Sequence, residues 1–439
     1  MTIGKGKYEK TRWLGQVHDS AWILTQGIFV LFALYLLSLA VYGDASRFYV
    51  LFFLAGLLTV WLERIDPHPE SSRNFRRLFF CTFLFFALIH VISLLCVMDL
   101  PGLEYSKRLN HNAYGFVIAL SLGMGLRDRR SIHRLFWLML IFYGGWNIFE
   151  LFSLSPEAFS VHGRFIGIRY SNPNAIAMVY VILFSVYLGY ALTVREKRIA
   201  GLVLCGLGVT IWLLLLTKSR SSLLTVGFAT VPVALITQKG QLDFKKRLAA
   251  ACLVFFLIAP LLAFTWYSHA GKDRKSPETA IIRFQLWQDS LDMLVRPPWY
   301  RFYIGYGNIK NVNAKIADHY GIPVLANHAH NIYFQTLIET GVLGLVTLIF
   351  IFGVALFGVC REWKVNKPAN GDLSPVFITA IASILFVGQM DHVLKYSSGK
   401  LVWIIIGLAL AYGKMGFQEN TEMKSAQGGQ ISAIPTRSS

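Results

Sequence analysis

The sequence predicts an all-α polytopic membrane protein, and three observations carry that reading. Hydrophobic residues make up 55% of the chain. They gather in blocks of the length a bilayer core requires, about 20 residues per helix. The basic residues alternate between segments as the positive-inside rule demands. About twelve blocks can be read, at roughly 21–43, 48–63, 78–100, 113–126, 135–154, 175–194, 199–217, 223–237, 248–268, 332–360, 374–390 and 401–413. The second, fourth, eighth and twelfth are short for a span. The first is long enough to cross, and no small-residue cleavage pattern follows it, so no cleavable signal peptide is expected.

A formal charge of +18 could point to nucleic acid, but its placement argues for topology. With the amino terminus inside and the spans alternating, every inside segment is basic. Those segments hold Lys5, Lys7, Lys10 and Arg12; Arg64, Arg73, Arg76 and Arg77; Arg127, Arg129, Arg130 and Arg134; Arg195, Lys197 and Arg198; Lys239, Lys245, Lys246 and Arg247; Arg361, Lys364 and Lys367; and Lys414, Lys424 and Arg437. Both termini are therefore expected in the cytoplasm. Cys81, Cys96, Cys205, Cys252 and Cys360 lie in or beside apolar blocks, so no disulfide framework is expected, and no Cys/His cluster suggests a metal.

This order divides the chain into residues 1–268, with nine spans and short loops; 269–331, a long outside loop; 332–414, with the last three spans; and 415–439, a polar tail expected to be disordered in the cytoplasm. Loops as long as 269–331 are commonly functional or disordered, and this one is not low in complexity. Within it, "SPETAIIRFQLWQDSLDMLV" opens on Ser-Pro and spaces Ala280, Phe284, Trp287, Leu291 and Leu294 as an amphipathic helix. Pro297 and Pro298 end that helix, Gly305 and Gly307 turn the chain, and "IKNVNAKIADHY" reads as a second short helix. The loop is expected to fold as a small cap on the outer membrane face.

Several basic residues fall outside, where the inside rule does not account for them. Arg164 and Arg169 lie in "VHGRFIGIRYSNPNAIA", Lys218 and Arg220 in "TKSRSSLL", and Arg283, Arg296 and Arg301 in the cap. A single arginine at a membrane boundary commonly snorkels to lipid phosphate. Several converging on one cavity instead make functional candidates. Guanidinium forks bind phosphate oxygens through paired hydrogen bonds, so these loops can form a pyrophosphate site without metal. Asn172-Pro173-Asn174 reads as a helix start, with proline in the first turn and asparagine as cap. It can also shape the loop carrying Arg164 and Arg169.

"NHAHNIYFQTLIETGVLGL", residues 327–345, places His328 and His330 before an apolar run. If Asn331 caps that helix, His330 sits at its positive end, beside arginines, which favours a neutral imidazole able to accept a proton. A polar helix cap and a His-x-His metal site are the alternatives; the latter needs more ligands than the neighbourhood offers. Glu339 can support the cavity or bond to backbone, and Gly341 and Gly344 can permit close helix packing.

These segments together resemble the bacterial O-antigen ligase superfamily, which also contains O-antigen polymerases and some protein O-oligosaccharyltransferases. "HNIYFQTLIETGVLG" resembles its His-Asn-(nine residues)-Gly signature at His330, Asn331 and Gly341. "RFIGIRYSNPNAIA" is similar to its Arg…Gly…Asn-Pro-Asn segment, "LLTKSRSSLL" to its Thr-x-Ser-Arg turn, and "RFQLWQDSLDMLVRPPWYRFYIGYGN" to its cap. The resemblance runs over roughly residues 160–345. It implies a C-type membrane glycosyltransferase fold and metal-independent, inverting transfer without a cofactor. The donor would be O-antigen on undecaprenyl pyrophosphate, and the acceptor a sugar hydroxyl of lipid A–core at the periplasmic face of the inner membrane.

In that reading His330 is the general base, and Arg220 and Arg283 stabilise the departing phosphate. Arg164, Arg169, Arg301, Trp287, His328 and Asn331 bind pyrophosphate or sugar, while Asn172, Asn174, Ser219, Glu339 and Gly341 support the site. A polymerase would use the same donor but a second lipid-linked repeat as acceptor. A lipid or solute transporter is the reading from another class. Transporters place their ionisable groups near the bilayer midplane, whereas these cluster at the outer ends.

Overall fold

The computed structural model describes residues 23–38, 48–63, 70–95, 105–159, 163–167, 173–191, 193–219, 221–227, 287–296, 298–307, 330–365, 372–390, 394 and 399–415. These residues are helical apart from turns, short connections and one isolated bridge between Phe159 and Phe165. In chain order the helices are α1 (Ile23–Ser38), α2 (Phe48–Glu63), α3 (Glu70–Leu95), α4 (Tyr105–Gly125), α5 (Arg129–Phe152), α6 (Pro173–Ala191) and α7 (Lys197–Thr217). Then follow α8 (221–227), α9 (287–295), α10 (Tyr300–Ile304), α11 (Ile332–Val365), α12 (Ser374–Met390) and α13 (399–415).

Among the described residues five segments are long and apolar enough to cross a membrane: Asn74–Ser93, Arg129–Phe152, Pro173–Ala191, Lys197–Thr217 and Ile332–Lys364. Ile23–Ser38, Gly115–Gly125 and Ser374–Gln389 are shorter apolar helices. The apolar block at 248–268 and most of that at 223–237 lie outside the described residues. Several helices begin earlier than their apolar blocks do, α3 and α4 by the most. α3 starts at Glu70 and α4 at Tyr105, because polar first turns carrying Arg73 or Lys107 are good helix formers that hydropathy cannot register.

Local chemistry sets several ends. Asp128 caps α5: its carboxylate accepts the Ser131 amide and hydroxyl, each at 2.7 Å. Pro173 opens α6, where its missing N–H costs nothing. Asp372 accepts the Ser374 amide and hydroxyl, each at 2.9 Å, at the start of α12, and also the Tyr412 hydroxyl at 2.6 Å.

The centre of the bundle is α13, whose residues 401–415 are all buried. A helix apolar on every side belongs in an interior. Gly115 of α4 and Gly407 of α13 let the two helices close, with Trp403 lying on Gly115 and Ala119 against Gly407. α1, α2, α3, α5, α6, α11 and α12 also contribute to the larger core. A second core joins α6, α7, α8 and the loop residue Phe165. Buried hydroxyl and amide pairs tie helices across the interior: Ser185 with Ser383 at 2.6 Å, and Asn147 with Thr210 at 3.0 Å. α3, α7 and α11 carry exposed apolar side chains such as Leu84, Leu202, Trp212, Val346 and Phe357, an exterior suited to hydrocarbon.

At one end of the bundle lies a clamp of charged groups. Arg129 pairs with buried Glu362 and lies over the Tyr412 ring, 5.9 Å from its centroid. Buried Lys414 donates to the carbonyls of Gly123, Met124 and Leu126 at 3.2, 3.1 and 2.7 Å. It therefore caps α4, whose last carbonyls would otherwise be orphaned. Lys414→Met is expected to destabilise the protein by roughly 3 kcal/mol, since three buried acceptors lose a charged donor. Thermal unfolding in lipid nanodiscs reads this, and an unchanged midpoint would refute it.

Candidate functional site

The opposite end gathers the segments singled out by sequence. α6 and α12 run antiparallel: Ser185 meets Ser383, and Gly189 near the end of α6 lies against the backbone of Val376 near the start of α12. The first turn of α6, with Asn174, therefore shares an end with Gln389 in the last turn of α12. The Gln389 carbonyl accepts the side-chain amide of Asn331 at 3.1 Å. The loop before α6 and the start of α11 thus occupy one face of the bundle.

Arg164 is built into that face. Its Nε donates to the Thr217 carbonyl at 3.0 Å and its Nη2 to Asn174 Oδ1 at 2.7 Å. The guanidinium bridges the end of α7 and the start of α6. The loop beneath it is fixed as well. The Phe165 amide donates to the Leu216 carbonyl at 3.0 Å, the Ile166 amide to the Ala158 carbonyl at 2.9 Å, and the Phe165 ring is fully buried. Asn174 therefore holds an arginine at the start of α6.

The Thr-Lys-Ser-Arg turn is equally ordered around Ser219. Its amide donates to Thr217 Oγ1 at 3.3 Å, its hydroxyl to Ser222 Oγ at 3.0 Å, and its carbonyl accepts the Leu223 amide of α8 at 3.0 Å. Buried Ser219 thus ends one helix and starts the next within two residues. Arg220 follows it directly and lies outside the described residues.

His330 precedes α11 in a left-handed backbone conformation, φ 51°. Asn331 is the cap foreseen from sequence: its Oδ1 accepts the Tyr333 and Phe334 amides at 2.8 and 3.1 Å. With its Nδ2 on Gln389, the Asn331 amide is engaged in positioning, and it fixes the stem from which His330 projects. Gln335 donates to the Glu339 carboxylate one turn on, so Glu339 is part of the same helix face.

α11 then breaks at Gly341, φ 67° and ψ −170°. Such a break takes the amide ladder out of register and releases carbonyls in the preceding turn. Other segments fill them. The Tyr306 amide donates to the Ile338 carbonyl and the Gly307 amide to the Glu339 carbonyl, each at 2.8 Å, and the buried Ser93 hydroxyl of α3 also donates to Glu339 O. Gly305 ends α10 with φ 75° and faces the Glu339–Thr340 backbone, while Gly341 faces Tyr303 and Ile304. Two glycines in the left-handed region thus let the cap and α11 meet backbone to backbone. The reading of Gly341 as a close-packing position holds, with a helix break added.

The cap rests on α11 through aromatics. The Trp287 ring stacks on Phe334 at 4.9 Å and 8°, and Tyr306 donates its hydroxyl to the Met293 carbonyl at 2.7 Å. Arg301 lies over the Tyr306 ring at 4.7 Å. Burial pulls its guanidinium toward neutrality, but contacts with Tyr300 and Tyr306 more than offset this and raise its proton affinity. Trp287, expected against substrate, has one ring face occupied by protein.

Arg164, Asn174, Ser219, His330, Asn331, Glu339 and Gly341 are therefore set around one end of the bundle, with Trp287 and Arg301 in the cap packed beside it. Arg169, Asn172, Arg283 and His328, like Arg220, lie outside the described residues. Ser93 was not legible in the sequence, since a serine in an apolar helix carries no signal of a partner on α11. Among the described residues no three His, Cys, Asp or Glu side chains come together as a metal site.

No curated protein matches the chain. Residues 205–349 match the family model described as O-Antigen ligase. The matched stretch contains the turn around Ser219, the cap helices, His330, Asn331 and Gly341, and it stops short of Arg164 and Asn174. The match, over residues 205–349 of 439, supports membership of the O-antigen ligase/polymerase superfamily.

Proposed function

We propose that the protein is an O-antigen ligase of the bacterial inner membrane. It transfers O-antigen polysaccharide from undecaprenyl pyrophosphate to a sugar hydroxyl of lipid A–core, on the periplasmic side, with inversion and without metal. The supporting observation is that the matched family segment brings His330 to the same end of the bundle as Arg164 and the turn that carries Arg220. The positive-inside rule assigns the clamp end, with Arg129 and Lys414, to the cytoplasm, which leaves the His330 end outside. A C-type glycosyltransferase fold with about twelve spans, both termini cytoplasmic, is the architecture that goes with this reading.

The reaction breaks the bond between the anomeric carbon and the phosphate oxygen, and the acceptor oxygen attacks from the opposite face. Pyrophosphate leaves as a good anion, so the main demand is charge stabilisation where it departs. Arg220 and Arg283 meet that demand, with Arg164, Arg169 and Arg301 around them. His330 takes the proton of the acceptor hydroxyl. No pair of carboxylates with glycosidase geometry is evident in the sequence, which disfavours hydrolysis.

Reconstitution with lipid-linked O-antigen and lipid A–core, in chelator, tests the proposal. Capped lipopolysaccharide supports a ligase. Longer lipid-linked polymer would make it a polymerase, and movement of lipid without glycosidic transfer would make it a transporter. Arg220→Lys tests the phosphate contact separately. Lysine keeps the charge but loses the planar pair of donors, so transfer is expected to fall by roughly 10²-fold. Wild-type rates in that variant would remove the paired contact.

A further inference from the structure

Among the described residues two non-glycine residues hold a left-handed backbone: His330 at φ 51° and Lys218 at φ 52°. A residue with a side chain pays about 1–2 kcal/mol for that conformation. It persists where other demands select it, and such outliers concentrate at functional sites. His330 has a part in the chemistry proposed above. Lys218 so far has none.

Lys218 closes α7, a position where glycine is the ordinary residue. Its backbone alone makes the cap, since its amide donates to the Leu215 carbonyl at 3.1 Å. The long side chain is not needed for that bond. It instead reaches across to the loop before α6, where a Cβ added at Gly163 would lie 3.9 Å from Lys218 Nζ. Gly163 is exposed and directly precedes Arg164, whose guanidinium contacts include Thr217 O and Asn174 Oδ1. Among the described residues no carboxylate pairs with Lys218. An ammonium with no carboxylate partner, at the edge of a loop that carries a guanidinium, is suited to meeting an anion.

Resting on the function proposed above, we propose that Lys218 is a direct ligand of the donor's leaving pyrophosphate, its ammonium contacting phosphate oxygens beside Arg164. A lysine at a helix carboxyl end also complements the helix dipole. That role makes no contact with substrate, so the two accounts separate by experiment. Glycine and asparagine both tolerate the left-handed backbone. Lys218→Gly and Lys218→Asn therefore delete the ammonium without straining the turn.

The test uses the full-length protein in nanodiscs, with undecaprenyl pyrophosphate as the binding probe and lipid-linked O-antigen as the substrate. Both variants are expected to unfold no earlier than wild type, yet to bind the probe about 10-fold or more weakly, as loss of a charge-assisted contact dictates. The donor KM rises in step, and Lys218→Arg recovers most of the affinity. Stability held while affinity falls is the signature of a residue kept for its ligand. Equal probe affinity and equal donor KM in Lys218→Gly and wild type would overturn the assignment of Lys218 alone. Wild type that neither binds the probe nor transfers sugar would instead overturn the functional reading beneath it.

Discussion

Replacing His330 with alanine is expected to lower the rate of sugar transfer by about 10²–10⁴-fold, the usual contribution of a general base. The fold should survive, because helix α11 is capped by Asn331, whose side chain and its bonds to Tyr333, Phe334 and Gln389 do not involve the imidazole. His330→Asn is the companion variant. Asparagine accepts the left-handed backbone at this position, φ 51°, and offers no base, so its rate should fall as far while its stability matches wild type. Transfer rates and thermal midpoints measured on both variants decide the matter. A folded alanine variant that transfers at the wild-type rate would remove His330 from the mechanism.

Gly341→Ala is expected to produce a large structural effect. A methyl group there would meet Tyr303 O and Ile304 N of α10, and the residue would have to keep φ 67°. Left-handed strain and overpacking together place the cost at roughly 2–5 kcal/mol. The same contact is made reciprocally at Gly305, where a methyl would meet the Glu339–Thr340 backbone. The loss should appear in two ways: a lower unfolding midpoint, and faster proteolysis of the cap once the Tyr306 and Gly307 amides leave the carbonyls of α11. An unchanged midpoint with an unchanged cleavage pattern would show that the two backbones can separate freely.

Much of the site was legible in sequence because its signals are local. Asn331 stands one residue before an apolar periodic run, which is the position of a cap, and it caps. Pro173 stands where a first-turn proline belongs, and α6 begins there. Gly305 and Gly341 stood out as glycines in otherwise bulky stretches, although their facing one another did not. Other residues misled a local reading. Lys414 counted as one more inside charge, yet it is buried and caps α4. Asn331 and Trp287, expected at substrate from their motifs, also have partners within the protein that no motif announces: Gln389 and Phe334. Block 401–413 is short for a span, yet among the described residues it is buried along its whole length, as suits a helix with an apolar surface on every side.

The amino-acid sequence by itself determined the helical membrane character and the order of the described helices. Those properties follow from hydropathy and charge, which act residue by residue over a span's length. Only the tertiary structure decided which loops meet: Arg164 with the end of α7, Asn331 with the end of α12, and Ser93 with a carbonyl 246 residues away. Such contacts are directional hydrogen bonds between distant segments, and no local pattern encodes them. They exist because a broken helix and two capped ones each left polar backbone groups that another part of the chain had to satisfy.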